Sequence, residues 1–197
     1  MSESVNARDE ILARVRSATA GASAVEYVAP ARAATVGSVE RFVERVEDYR
    51  AVVERCVGAD LEDRVAAAVE GCSVVVPEGL AFEVAGAVVD EGLDALDLDS
   101  IDAVVTEATL GIAETGTIVL DHRPGQGRRA ITLVPDRHVC VVRADQVVDD
   151  VPDAVAVLDP QRPLTWISGP SATSDIELNR VEGVHGPRQL HVIVVEG

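Results

Sequence analysis

Three polar clusters in the second half of this 197-residue chain carry residue types that do chemistry. The densest runs Gly169-Pro170-Ser171-Ala172-Thr173-Ser174-Asp175-Ile176-Glu177, and Gly183-Val184-His185-Gly186-Pro187-Arg188 follows shortly after. Ser171 and Thr173 place hydroxyls and backbone N–H groups where a strand gives way to a predicted helix, an arrangement that suits an anionic ligand group. Asp175 can accept a ligand hydroxyl or complement the helix dipole. His185, in a turn, can act as acid or base near neutral pH, or can bond the preceding helix end. The second cluster spans residues 106–117, where Glu114 stands directly before a Thr115-Gly116 turn. Glu114 is a candidate general base or nucleophile, or a brace for its turn, and Glu107 is a second carboxylate candidate or a solvated loop residue. In the third cluster, Asp121 to Arg129, the guanidinium groups of Arg123, Arg128 and Arg129 flank glycines. They suit bidentate capture of a carboxylate or phosphate, or a solvated hairpin.

The elements that must position these clusters follow from apolar periodicity. Ser4 or Asn6 caps a predicted first helix with Ile11, Leu12 and Val15 on one face. Ser38 caps a second that carries Phe42, Val43, Val46, Tyr49, Val52, Val53 and Cys56. A connector rich in Ala, Gly and Pro joins them across Gly21 to Gly37. A third helix, Leu61 to Val69, precedes a buried strand at Ser73 to Pro77. Then come a short helix near Glu83 to Val89, strands at Asp102 to Thr106 and Thr117 to Leu120, and a strand pair around Ala130 to Val134 and His138 to Arg143. A helix from Asp145 to Val157 and two strands flanking a helix from Asp175 to Val181 complete the pattern. Alternating strands and helices imply an α/β fold: an open, mostly parallel sheet with helices on both faces and one antiparallel pair inserted. Residues 1–58 read as a helical N-terminal extension and 59–197 as the α/β domain. Ligand crevices of such sheets lie at the strand carboxyl ends, so Glu114, Ser171, Thr173, Asp175 and His185 are expected around one pocket there.

Composition removes several chemistries. The net charge is −17, and the acidic residues are spread along the chain, so nucleic acid is not an expected partner. All 17 basic residues are Arg. Without Lys the chain offers no Schiff-base lysine, Walker-type phosphate lysine or lysine base. Cys56, Cys72 and Cys140 show no C-x-x-C spacing and cannot complete a zinc or iron–sulfur site, and the four histidines show no metal-ligand spacing. No apolar run approaches the roughly 20 residues of a membrane span, and Met1-Ser2-Glu3-Ser4 does not open a signal peptide, so a cytoplasmic protein is expected.

The two C-terminal blocks, residues 106–117, and the stretch from Arg128-Arg129 to Pro135-Asp136-Arg137-His138 together resemble the LUD-domain, LutC-type lactate-utilisation family. The resemblance is strong over residues 100–197 and general before that. It implies a ribose-5-phosphate isomerase/CoA-transferase-like α/β fold and a role in oxidising L-lactate to pyruvate beside partners that carry iron–sulfur clusters. It names no cofactor for this chain. On that reading the chain is a non-redox subunit or accessory protein that binds a small anion, with Glu107, Thr115, Arg128, Arg129, Ser171, Thr173 and Asp175 as candidate ligand contacts. Glu114 and His185 are the candidate catalytic groups, and a homo-oligomer is compatible. The alternative is a stand-alone isomerase or CoA-transferase-like enzyme using Glu114, because CoA transferases carry their catalytic Glu in a comparable turn. Many LUD relatives have Arg where this chain has Ala172, which removes one anion contact.

Overall fold

The computed structural model describes residues 7–22, 35–173, 181–182 and 186–197. Helix α1 (Ala7–Thr19) buries none of its residues; Ile11 and Val15, the expected packing face, are 60% and 53% exposed. Helix α2 (Val39–Asp48) is capped by the Ser38 side chain, which accepts from the Arg41 N–H, and buries Phe42 and Val46. It is shorter than its periodicity predicts. The Arg50 N–H returns to the Glu47 carbonyl at 2.7 Å and Arg50 takes φ 66°, which turns the chain out of the helix. Val52, Val53 and Cys56 therefore belong to strand β1 (Val52–Val57); the apolar spacing continues past the helix, and the backbone does not.

Helix α3 (Leu61–Ala68) leads into β2 (Val74–Val76), as expected. No helix forms over 83–89: Gly86 adopts φ 75°, and β3 (Val88–Val89) pairs in parallel with β2. After α4 (Ala95–Asp99) comes β4 (Ala103–Glu107), and β5 (Leu110–Ile112) and β6 (Thr117–Leu120) form an antiparallel hairpin around the Glu114 turn. The hairpin belongs to a separate four-stranded sheet, and the antiparallel pair expected around 130–134 and 138–143 does not form. Residues 130–134, expected to be a strand, are successive turns that seat the buried Ile131 side chain ahead of β7 (Arg137–Arg143). The segment expected as one helix from 145 to 157 is divided into a short β8 (Val147–Val148) and α5 (Val151–Val157). Asp150 caps that helix by accepting the Asp153 N–H, and Pro152 lies in its first turn. Then follow β9 (Thr165–Ile167), β10 (Ala172–Thr173), β11 (Val181–Glu182) and β12 (Gln189–Glu196). β10 and β11 pair antiparallel, so Val181 ends in a strand rather than in the predicted helix, whose residues 175–180 lie outside the described residues.

The main sheet is parallel throughout, in the order β1-β12-β7-β4-β2-β3. The open parallel α/β architecture expected from the sequence is thus present. α3 covers one face, packing Val65 and Ala68 on Val105, Val139, Val141 and Ile193. The other face carries α2 and a second sheet, β8-β5-β6-β9, with Phe42, Val46, Ile118 and Leu120 packed on Cys140, Val142, Val192 and Val194. α2 and β1 lie N-terminal to the boundary expected at residue 58, yet Phe42 is fully buried and β1 is hydrogen-bonded to β12.

Candidate functional site

Alternation along β7 sends His138, Cys140 and Val142 to the face shared with the second sheet. His138 is the second residue of β7 and sits in register with Leu190, the second residue of β12. The end of β9 passes over these two strand starts, and a cavity of about 260 Å³ lies between them, lined by Arg129, His138, Trp166, Ser168, Ser171 and Leu190 among others. Two close backbone approaches shape it. Gly169 has φ 85°, and a Cβ there would stand 2.5 Å from the Cβ of Tyr49 at the end of α2. The Ser171 N–H donates to the Pro187 carbonyl at 2.8 Å, which joins the two C-terminal polar blocks.

The polar groups of this cavity are held from behind. His138 is 1% exposed, and its Nε2 lies 2.8 Å from Thr106 Oγ1; the Thr106 hydroxyl also lies 3.6 Å from Cys140 Sγ. Burial first, and the positive charge of Arg129 second, push the imidazole down to about 4, so it is neutral at physiological pH. Burial pushes the Cys140 thiol up to about 12 and keeps it protonated. Arg129 reaches the cavity from the loop after β6, with Nη1 donating to the Thr132 carbonyl at 3.0 Å and to its hydroxyl at 3.1 Å. No carboxylate among the described residues lies within ion-pair distance of it. Ser168 Oγ is 2.8 Å from Thr117 Oγ1, which in turn accepts from Thr115 Oγ1 at 2.8 Å.

The expected site residues are thus distributed. Arg129 and Ser171 share the cavity, and Thr115 reaches its rim through Thr117 and Ser168. The cavity lies at the amino ends of β7 and β12, not at the carboxyl edge predicted from strand–helix order. The reason is that β9 pairs antiparallel with β6 in the second sheet, so the loop that follows it is not a βα junction of the main sheet. Glu114 occupies the exposed hairpin turn 3.9 Å from Arg41, its N–H donating to the Asp149 carbonyl, and it does not line this cavity.

Glu107 ends β4 on the opposite sheet face and at the opposite strand end, in a cavity of about 460 Å³ with Phe82 and Arg143; burial raises its pKa. Arg128 forms a bidentate bridge to Asp90 at 2.7 and 2.8 Å, and this bridge holds the Asp90 carboxyl below the usual range. Thr173 contributes its backbone to β10, while Asp175 and His185 lie outside the described residues. His138 is a residue the sequence placed only at the start of a strand and did not single out as a site residue. Its signal is a lone polar side chain on the inward-facing positions of an otherwise apolar parallel strand.

Comparison with known proteins agrees with this architecture. Residues 95–195 match the LUD domain. The chain is 43% identical over 206 aligned positions to Lactate utilization protein C of Deinococcus radiodurans, covering 96% of this chain and 95% of that protein. Lactate utilization protein C of Geobacillus kaustophilus is 36% identical over 113 positions, covering 53% of this chain and 46% of that protein. A crystal structure of a DUF162 family protein from Deinococcus radiodurans superposes with a TM-score of 0.68 at 41% identity, covering 80% of this chain and 95% of its own. With residues 95–195 matching the family, a near full-length relative and a solved structure of the same architecture, this chain belongs to the LUD-domain family.

Proposed function

We propose that the protein acts in lactate utilization as a non-redox subunit of an L-lactate oxidation system, binding a small anionic ligand and working with iron–sulfur subunits. The observation that carries this reading is the 43% identity to Lactate utilization protein C across nearly the whole of both chains. The cysteines support the non-redox part. Cys56 and Cys140 are buried in apolar clusters on opposite faces of the main sheet, and burial raises the pKa of both thiols, so they favour the protonated form and cannot converge on one cluster. Cys72 lies 3.5 Å from Arg137 Nη1 on the α3 side. Arg129, a cation at a cavity with no acidic partner among the described residues, supports the anionic ligand.

Among the described residues, no helix is long and apolar enough to cross a membrane. The test is a clean deletion in the host, followed by growth on L-lactate as sole carbon source with and without the gene restored. Growth is expected to stop and to return on complementation. Unimpaired growth with no paralogue present would remove the assignment. The purified protein is expected to be colourless, and several irons per chain in elemental analysis would contradict the non-redox role.

A further inference from the structure

We infer that the cavity at the amino ends of β7 and β12 is a binding site for a small 2-hydroxy monocarboxylate, with Arg129 taking the carboxylate and Nδ1 of His138 accepting the hydroxyl hydrogen bond. The cation comes first. In a chain of net charge −17, most described arginines sit against a carboxylate, as Arg128 does on Asp90 and Arg188 on Asp136. Arg129 instead spends one nitrogen, Nη1, on Thr132 and leaves the rest of its fork for an anion at the cavity.

The second group is buried and aimed inward. His138 is nine-tenths buried and more, lines the cavity, and engages Thr106 through Nε2 alone; no described residue bonds its Nδ1. Its tautomer follows from the partner behind it. The Thr106 hydroxyl donates to Cys140 Sγ, so its oxygen accepts from Nε2–H, and Nδ1 keeps a lone pair on the cavity side. A lone pair prefers a hydroxyl over a ketone, which brings no proton. The ring does not supply that proton by charging, because burial and Arg129 hold it neutral. The remaining walls include Trp166, Pro170 and Leu190, which accept a short alkyl group.

The site stands on the chemistry of its own lining; the choice of L-lactate as first probe rests on the proposed function. Titration calorimetry of the full chain with L-lactate and with pyruvate tests it, together with nitrogen-15 imidazole signals of His138. L-Lactate is expected to bind saturably and pyruvate at least about tenfold more weakly. Arg129→Gln should weaken lactate binding by about 10- to 100-fold while melting within a degree or two of the parent, since that side chain is exposed. His138 should show the Nε2–H tautomer. No saturable lactate binding, equal affinity for pyruvate, an unchanged Arg129→Gln variant, or an Nδ1–H ring would each overturn the assignment. The two readings fail separately. A deletion strain that cannot use lactate, paired with a protein that binds no lactate, removes this site and keeps the pathway; the reverse pair removes the pathway and keeps the site.

Discussion

His138 makes acid stability a test of the packing behind the cavity. In the folded chain burial lowers its pKa from 6.5 to about 4, whereas in the unfolded chain the ring regains its ordinary value. The unfolded state therefore binds the extra proton first as pH falls, and folding loses stability below pH 6.5 and down to the folded value. Above pH 6.5 both states are neutral and the group contributes no slope. At 1.36 kcal/mol per pKa unit the loss across that window is about 3 kcal/mol. Burial of His191 lowers its pKa too and adds a slope of the same sign. The bridged aspartates Asp90 and Asp136 have depressed pKa values, so their stabilisation persists through this window and is lost only as pH falls through those lower values. Urea unfolding at half-unit steps from pH 7.5 to 4.5 measures the slope. His138→Gln, whose amide can still reach Thr106, should cost about 1–3 kcal/mol at pH 7 and remove most of the pH dependence between 6.5 and 4.5. If variant and parent lose stability in parallel across that range, the ring is not held neutral by burial, and the account of the cavity's electrostatics fails.

Other substitutions probe neighbouring features. Gly169→Ala forces a Cβ into Tyr49 at a positive φ and should lower stability by about 1–3 kcal/mol, seen as a reduced Tm; an unchanged Tm would mean that the β9–β10 connection relaxes freely. Arg128→Gln strands the Asp90 carboxylate, with a cost of about 1–3 kcal/mol at neutral pH that should shrink in acid as Asp90 protonates; denaturant midpoints at pH 7 and pH 3.5 decide it. Glu114→Gln touches only a half-exposed contact to Arg41, so stability should move by less than about 0.5 kcal/mol. Lost growth on lactate in that stable variant would give Glu114 a functional role, and retained growth would leave it as a turn residue.

Elements whose identity is written locally were legible in the sequence. The valine-rich runs of β2, β4, β7 and β12 are β-branched and bounded by turn residues, and Ser38 announces the start of α2. Elements defined by a distant partner were not. Val88-Val89 becomes a strand because β2 offers it an edge, and Leu110-Gly111-Ile112 because β6 folds back beside it. A glycine fits at 111 because the ring of Phe42 lies 2.9 Å from where its Cβ would be, a contact across about 70 positions that no local pattern reveals. The cavity had the same limit. Arg129 and Ser171 were named from their chemistry, but their meeting depends on β9 crossing to the second sheet, and Glu107 and Arg128 were sent elsewhere by strand alternation and by Asp90.

The placement of β12 bears on how the molecule assembles. This strand is inserted between β1 and β7, so Val52 finds its partner at His191, and the parallel ladder on both sides of β12 closes a very long loop. Until it docks, β7 is the bare edge of a four-strand fragment with β4, β2 and β3, and β1 has no neighbour at all. Such an intermediate presents the unpaired backbone of a valine-rich strand, a template for intermolecular pairing. Folding should therefore be slow for a chain of this length and prone to concentration-dependent loss on refolding, with insertion of β12 as the committed step.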